Sequence, residues 1–339
     1  MIPQLIKGGW QLAGGHGAVD AERAVADMFA FAEAGVTAFD CADIYTGVEV
    51  LIGRFLREWR ATHGPNAPHV RVHTKCVPDL DLLPTLSRAD LERTIDRSLR
   101  RLGVERLDLV QFHWWDFAVP GFTEAALHLA AMQREGKIAE LGVTNCDTPH
   151  LRALLDAGVP VVAHQVQLSL LDRRALGAMS TLCDARGVRL LAYGALAGGF
   201  LHERWLGASA PAEPLENRSL VKYRLIIDEC GGWEAFQRLL AVLAGIAARH
   251  EVRIGAVALR WVLDRPTAAA AIVGARNAAH LAATLAALDL RFTPDESAEL
   301  SRVLESVRCP LGDVYELERA AGGRHAAIMR YGLNRAAGD

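Results

Sequence analysis

Short apolar, β-branched runs alternate with longer amphipathic stretches along most of the chain. Eight of the runs are predicted as strands: Leu5–Gln11, Thr37–Asp40, Val70–Thr74, Leu107–Phe112, Glu140–Thr144, Val161–Gln165, Arg189–Tyr193 and Ala270–Val273. Most are apolar throughout rather than alternating, as parallel strands covered by helices must be.

The stretches between them carry helix start and stop signals. Asp20 is placed to N-cap a helix whose apolar face is Ala24, Val25, Met28, Phe29, Phe31 and Ala32, with Gly35 just past its end. Ser87 caps a second, with Leu91, Ile95, Leu99 and Leu102 on one face and Gly103 as the stop. Asp147 precedes a helix closed by Gly158, and Asp172 is expected to open another closed by Gly187. Thr293-Pro294-Asp295-Glu296 reads as an N-cap, a first-turn proline and a capping-box glutamate, predicting a helix over 294–306.

A strict strand-then-helix order repeated eight times predicts an α/β chain folded as a (β/α)8 TIM barrel. The rival doubly wound sheet lacks its GxGxxG signature, since Gly14-Gly15-His16-Gly17 reads only as a turn. Two segments depart from a minimal barrel. Residues 195–232 form a long Gly-, Pro- and Ala-rich connection after the seventh strand, where barrel loops cover active sites. The barrel is expected to occupy 1–309. The tail, 310–339, carries Tyr315, His325, Met329 and Tyr331 and is expected to pack back on it.

Composition narrows the function. The 37 basic and 40 acidic residues leave a net charge of −3 with no basic block, which argues against nucleic acid as a partner. Hydrophobic residues make up 51%, enough for a full core and too many for disorder. No two of the six cysteines lie closer than 35 residues, so neither a zinc cage nor a small disulfide scaffold is expected. The longest apolar run, 239–248, is far short of the roughly 18 residues a membrane span needs. The apolar stretch at Met1–Lys7 is too short for a signal peptide, so a cytoplasmic location is expected.

Barrel enzymes carry their reactive groups at the C-terminal ends of strands. Here the second strand ends at Asp40, with Tyr45 just beyond, the third at Lys75 and the fourth at His113, so one rim receives all four. Singly, each has an ordinary reading: Asp40 a cap, Tyr45 a rim residue, His113 a satisfied core histidine. Together they are a proton-transfer set. A lysine beside a tyrosine stabilises the phenolate, a carboxylate holds the lysine charged, and a histidine bonds a substrate oxygen. Protonating a carbonyl oxygen requires hydride at the carbon, which side chains cannot deliver, so a nicotinamide cofactor is implied.

The chain resembles the aldo-keto reductase superfamily. The resemblance rests on Gly8-Gly9-Trp10-Gln11, the 39–45 segment ending in Asp43-Ile44-Tyr45, His73-Thr74-Lys75, 107–114 ending in His113-Trp114, 136–145 ending in Thr144-Asn145, His164-Gln165 and 193–201. These occur in the family's order over roughly residues 5 to 285. The resemblance implies Tyr45 as general acid/base, Lys75 as the group that lowers its pKa, Asp40 as the partner of Lys75, and His113 as the residue orienting the carbonyl. It implies Thr144, Asn145 and Gln165 on the nicotinamide carboxamide, Tyr193 stacked on its ring, and Leu196 and Gly198 over the pyrophosphate. It further implies Gly274, Arg276 and His280 at the adenosine ribose and its 2′-phosphate, and Trp10, Trp114 and Trp115 as walls of the substrate pocket.

Some positions depart from the family pattern: Thr46 intrudes between Tyr45 and Gly47, Gly194 stands for a serine, Ala283 and Thr284 for a Glu-Asn pair, and His280 for a basic residue or Gln. The implied activity is NADP(H)-dependent reduction of an aldehyde or ketone to an alcohol, with NAD(H) as the other cofactor considered. Alternatives are dehydrogenation of a sugar or other secondary alcohol at the same site, and a cofactor-binding regulatory role like that of potassium-channel β subunits.

Overall fold

The computed structural model describes residues 3–14 and 17–334. Met1 and Ile2, Gly15 and His16 of the anticipated turn, and the last five residues of the tail lie outside the described residues.

Eight parallel strands close into a barrel in sequence order, the last pairing with the first. They are β1 (Leu5–Gly8), β2 (Ala38–Asp40), β3 (Arg71–Cys76), β4 (Leu107–Phe112), β5 (Ile138–Thr144), β6 (Val161–Gln167), β7 (Arg189–Tyr193) and β8 (Ala268–Gly274). All eight predicted runs are strands. The first is shorter than its apolar run, because Trp10–Leu12 turns into a 3-10 segment that carries Trp10 onto the rim.

The outer ring begins with α1 (Ala21–Glu33), α2 (Val48–His63), α3 (Arg88–Leu102), α4 (Phe122–Arg134), α5 (Thr148–Asp156) and α6 (Ala178–Arg186). The caps at Asp20, Asp147 and Asn217 accept backbone N–H groups as their residue types favour. Ser87 and Thr293 each close a complete capping box, and the helix after Thr293, α11 (Pro294–Ser306), has the predicted limits.

Two expectations are corrected. Asp172 does not open a helix; α6 starts six residues later, after Gly177. The Asp172 side chain is instead fully buried on Arg174, 2.7 Å away, a use that local sequence does not reveal. The 195–232 connection is not all loop, because Asn217 caps α7 (Arg218–Glu229), whose Leu220, Tyr223, Ile226 and Ile227 are buried. Its Tyr223 ring fills the space beside Gly194 and Gly198, where an added Cβ would lie 2.0 and 2.5 Å from it. Beyond α7 run α8 (Gly232–Arg249) and α9 (Ile254–Leu263), then, after β8, α10 (Leu281–Asp289) and α11.

Side chains along a strand alternate between faces. One inward layer is apolar: Ile6, Ala38, Leu109, Ala163, Leu191, Ala270 and Ile272 form a separate buried cluster inside the barrel. One step nearer the C-terminal rim the same alternation brings Asp40, Lys75, Gln111 and Gln165 together. Apart from the buried His73, which lies level with Leu109, the barrel is thus apolar below and polar at its mouth. Gly9 lets β1 pack against this mouth: its N–H donates to the Asp40 carbonyl at 2.7 Å, and a Cβ there would lie 2.8 Å from that oxygen.

The tail crosses the rim rather than hanging free. Asp313 accepts from the N–H and hydroxyl of Thr148 at the start of α5. The short α12 (Glu316–Arg319) buries Glu318, and Arg319 donates to the carbonyls of Trp114 and Trp115. Asn334 donates to the Val77 carbonyl and the Asp79 carboxylate.

Candidate active site

Four strands deliver one hydrogen-bonded set. Lys75 Nζ donates to Asp40 Oδ1 at 2.6 Å and to the Cys41 carbonyl at 2.8 Å. The other Asp40 oxygen accepts from Gln165 Nε2 at 2.6 Å and Gln111 Nε2 at 3.0 Å. Gln165 also donates to Gln111 Oε1 at 2.9 Å. The carboxylate therefore has partners from β3, β4 and β6, and its ion pair is about 5% exposed. Burial by itself would discharge Lys75, but Asp40 and the nearby Tyr45 oxygen hold it charged, with its pKa above the usual lysine value.

Tyr45 sits on the loop between β2 and α2, half-buried, with the Lys75 ammonium 5.0 Å from its ring centroid. Burial raises its phenol above 10; the Lys75 charge opposes this and does not reverse it. Trp10 lies against it, ring centroids 5.1 Å apart.

His113 enters from the end of β4. Its Nδ1 is 3.1 Å from the Thr144 carbonyl, which can only accept, so Nδ1 carries the hydrogen. Burial, helped by Arg319, lowers the imidazole pKa to about 3, so the ring is neutral. Its Nε2 is buried without a partner. Trp115 meets this ring edge-on at 4.3 Å and Tyr315 of the tail at 5.9 Å.

The remaining predicted residues spread along the same rim. Thr144 donates its hydroxyl to the Gln165 carbonyl. Asn145 adopts a left-handed φ of 56°, rare outside glycine, and its Oδ1 accepts from Tyr193 Oη at 2.8 Å. Tyr193, at the end of β7, has Lys222 over its ring at 5.0 Å. Leu196 and Gly198 follow in the next loop, Gly198 with φ 63°.

Gly274 ends β8 beside Gly8, and a Cβ there would lie 2.1 Å from Gln11 Nε2. Arg276 and His280 are exposed on the loop beyond it. Trp114 lies apart from this set. Its ring is buried against Phe112 and Phe122, in the layer between β4 and α4, and the indole facing His113 is that of Trp115.

Sequence reasoning passed over Gln111, Lys222 and Arg319, and named Tyr315 only as a tail residue that packs back on the barrel. Gln111 had a signal, lying two residues before His113 on an inward-facing strand. Lys222 and Arg319 had none, since they come from α7 and the tail.

A profile of the Aldo/keto reductase family matches residues 4–305. The chain belongs to the aldo-keto reductase family, whose members are generally NAD(P)H-dependent carbonyl reductases. It is 31% identical over 262 residues to the flagellar radial spoke protein 5 of Chlamydomonas reinhardtii, covering 66% of this chain and 49% of that one, so it spans about half of that relative. It is 29% identical to the chloroplastic pyridoxal reductase of Arabidopsis thaliana, covering 79% of this chain and 73% of that one. It is 24% identical to the NADH-specific methylglyoxal reductase of Escherichia coli, with coverage of 88% and 94%. Among solved structures, the glycerol dehydrogenase of Gluconobacter oxydans superposes with a TM-score of 0.77 at 23% identity, covering 92% of this chain and 94% of that one.

Among the described residues no helix is long and apolar enough to cross a membrane, and no group of three His, Cys, Asp or Glu residues is placed to hold a metal ion.

Proposed function

We propose that the protein reduces a small aldehyde or ketone to an alcohol with NADP(H), NAD(H) also being accepted, and that Tyr45 is its general acid. One observation carries this reading: the buried Asp40–Lys75 pair lies beside Tyr45, on the rim where His113 presents an unpartnered Nε2.

The donor set fits a nicotinamide dinucleotide. The amide nitrogen of Asn145 has no hydrogen-bond partner among the described residues, although its backbone is held in a strained region. Tyr193 offers a ring at the same height, and Gly199, at φ 99° with open space around it, lets a phosphate approach the backbone. Thr144, Asn145 and Gln165 would hold the carboxamide, Tyr193 the ring, Leu196 and Gly198 the pyrophosphate, and Gly274, Arg276 and His280 the adenosine end. When bound, the cofactor supplies the hydride.

The protein's own part is proton delivery and orientation. Tyr45 keeps its proton at neutral pH and gives it to the carbonyl oxygen as negative charge develops there. Lys75 then stabilises the phenolate, and Asp40 keeps Lys75 charged and aimed. The neutral His113 orients the substrate oxygen, and Trp10 and Trp115 line the approach. The reverse reaction, oxidation of a secondary alcohol, uses the same groups with Tyr45 as base.

The test is Tyr45→Phe, measured with a panel of aldehydes and ketones. It is expected to lower kcat by about 10²–10⁴-fold while leaving cofactor binding intact. In the wild type the reduction rate should stay level through neutral pH and fall only in strong alkali, because burial raises the Tyr45 phenol above its ordinary value and keeps its proton in place. Turnover retained in Tyr45→Phe would overturn the assignment.

A further inference from the structure

Arg218 opens α7 in an unfavourable place for a positive charge. A cation in a first helical turn meets the positive end of the macrodipole, and no acidic residue shares that turn. The side chain is half-buried, with its guanidinium carbon 5.9 Å from the Trp10 ring centroid. Its one hydrogen bond among the described residues runs from Nη2 to the Ile328 carbonyl of the tail at 3.1 Å. Two residues further along the tail, Arg330 brings a second guanidinium into range. Burial, and after it the Arg330 charge, lowers the Arg218 pKa, and no carboxylate acts in the opposite sense.

The buried carboxylates of the site are engaged elsewhere. Asp40 holds Lys75, and Glu318 holds Arg174 and Lys222. Arg319 adds positive charge on the His113 side, and its Nη1 is buried without a partner. Trp10 joins Arg218 to the reacting end, since its ring lies 5.1 Å from that of Tyr45. An arginine opposed by burial, by a like charge and by a helix dipole, with no counter-ion, breaks local rules in the way that binding sites do.

We propose that Arg218 and Arg330 form a subsite for an anionic group of the substrate, so that the carbonyl compound reduced here carries a carboxylate or a phosphate ester away from its reacting end. The inference rests on the reading of Tyr45 as the acid that protonates the carbonyl. The anion accepts hydrogen bonds from the guanidinium N–H groups that the bond to Ile328 leaves open. It relieves the repulsion between the two arginines and offsets the helix dipole, which a neutral substrate does not do.

The experiment compares kcat/KM within two matched pairs: 4-formylbenzoate with its methyl ester, and glyceraldehyde 3-phosphate with glyceraldehyde. Wild type should favour the charged member of at least one pair, and the pair it favours names the anion. Arg218→Gln should lower that charged-to-neutral ratio about ten-fold, the worth of one charge-assisted hydrogen bond, and Arg218→Lys should restore part of it. Arg330→Gln changes an exposed side chain with little risk to the fold, and should lower the same ratio about two-fold or more. An arginine that only anchors the tail, or one that holds the cofactor, would weaken both members of a pair alike. An unchanged ratio in either Gln variant, or a wild type that favours the neutral member of both pairs, therefore overturns the proposal and leaves the reductase reading in place. Wild type that reduces other carbonyls but none of these four overturns it too. Wild type that reduces no carbonyl at all overturns the reductase reading, and this inference with it.

Discussion

Lys75 Nζ lies 2.6 Å from Asp40 Oδ1, and both groups are almost completely removed from solvent. An ion pair in that setting is held in place by its surroundings: the second Asp40 oxygen is met by the amides of Gln111 and Gln165, and the ammonium by the Cys41 carbonyl. Removing one partner strands the other.

Asp40→Asn is therefore expected to destabilise the fold by about 3–5 kcal/mol, the usual cost of an uncompensated buried charge. It also removes the group that keeps Lys75 charged, so the lysine pKa should fall and turnover with it. Urea denaturation at pH 7 measures the first effect. A loss below about 1 kcal/mol would mean that the pair contributes positioning alone.

The tail is pinned by a buried ion cluster. Glu318, 1% exposed, faces Arg174 at 3.3 Å and Lys222 at 3.6 Å, and Arg174 is shared with the buried Asp172. Burial opposes ionisation of Glu318, yet the two cations hold its carboxyl below the usual range. Lys222 in turn lies over the Tyr193 and Tyr315 rings. Glu318→Gln leaves Lys222 without its counter-ion, and a loss of about 3 kcal/mol is expected. Limited proteolysis should then cut the tail faster than in the wild type, and equal cutting rates would count against the pin.

Lys7 carries the clearest pH signature. Burial lowers its ammonium pKa to about 8, with only Asp27 opposing. The unfolded chain holds this proton up to its ordinary value near 10.4, so it binds more protons than the folded state between those limits. Below pH 8 the charged lysine is a standing cost; across pH 8 to 10.4 that cost fades and stability rises. Lys7→Met should consequently gain about 1–3 kcal/mol at pH 7 and lose the advantage by pH 10. Denaturation curves at the two pH values decide it, and an equal difference at both would refute the titration account.

The eight strands, their order and most helix limits were legible because their causes are local. Runs of β-branched residues, capping side chains such as Ser87 and Thr293, and stop glycines such as Gly35 and Gly103 act within a few residues of themselves. Asp172 shows where this fails. As an aspartate before a helical stretch it has the form of a cap, yet its partner is the buried Arg174, and that arginine also needs Glu318, 144 residues further on. Trp114 and Trp115 look equivalent in sequence. Adjacent residues at a strand end point to opposite sides, so one indole enters the outer shell and the other faces His113.

The sequence alone determined the barrel and the chemical identity of its rim, because strand alternation dictates which residues point inward and strand ends dictate which residues meet. The tertiary structure decided what surrounds them: that Gln111 and Gln165 complete the Asp40 shell, and that α7 and the tail bring Lys222, Tyr315 and Arg319 to the site. These contacts join segments from 29 to 205 residues apart, and no periodicity in a chain encodes a meeting over such separations; only the closed packing of the whole does.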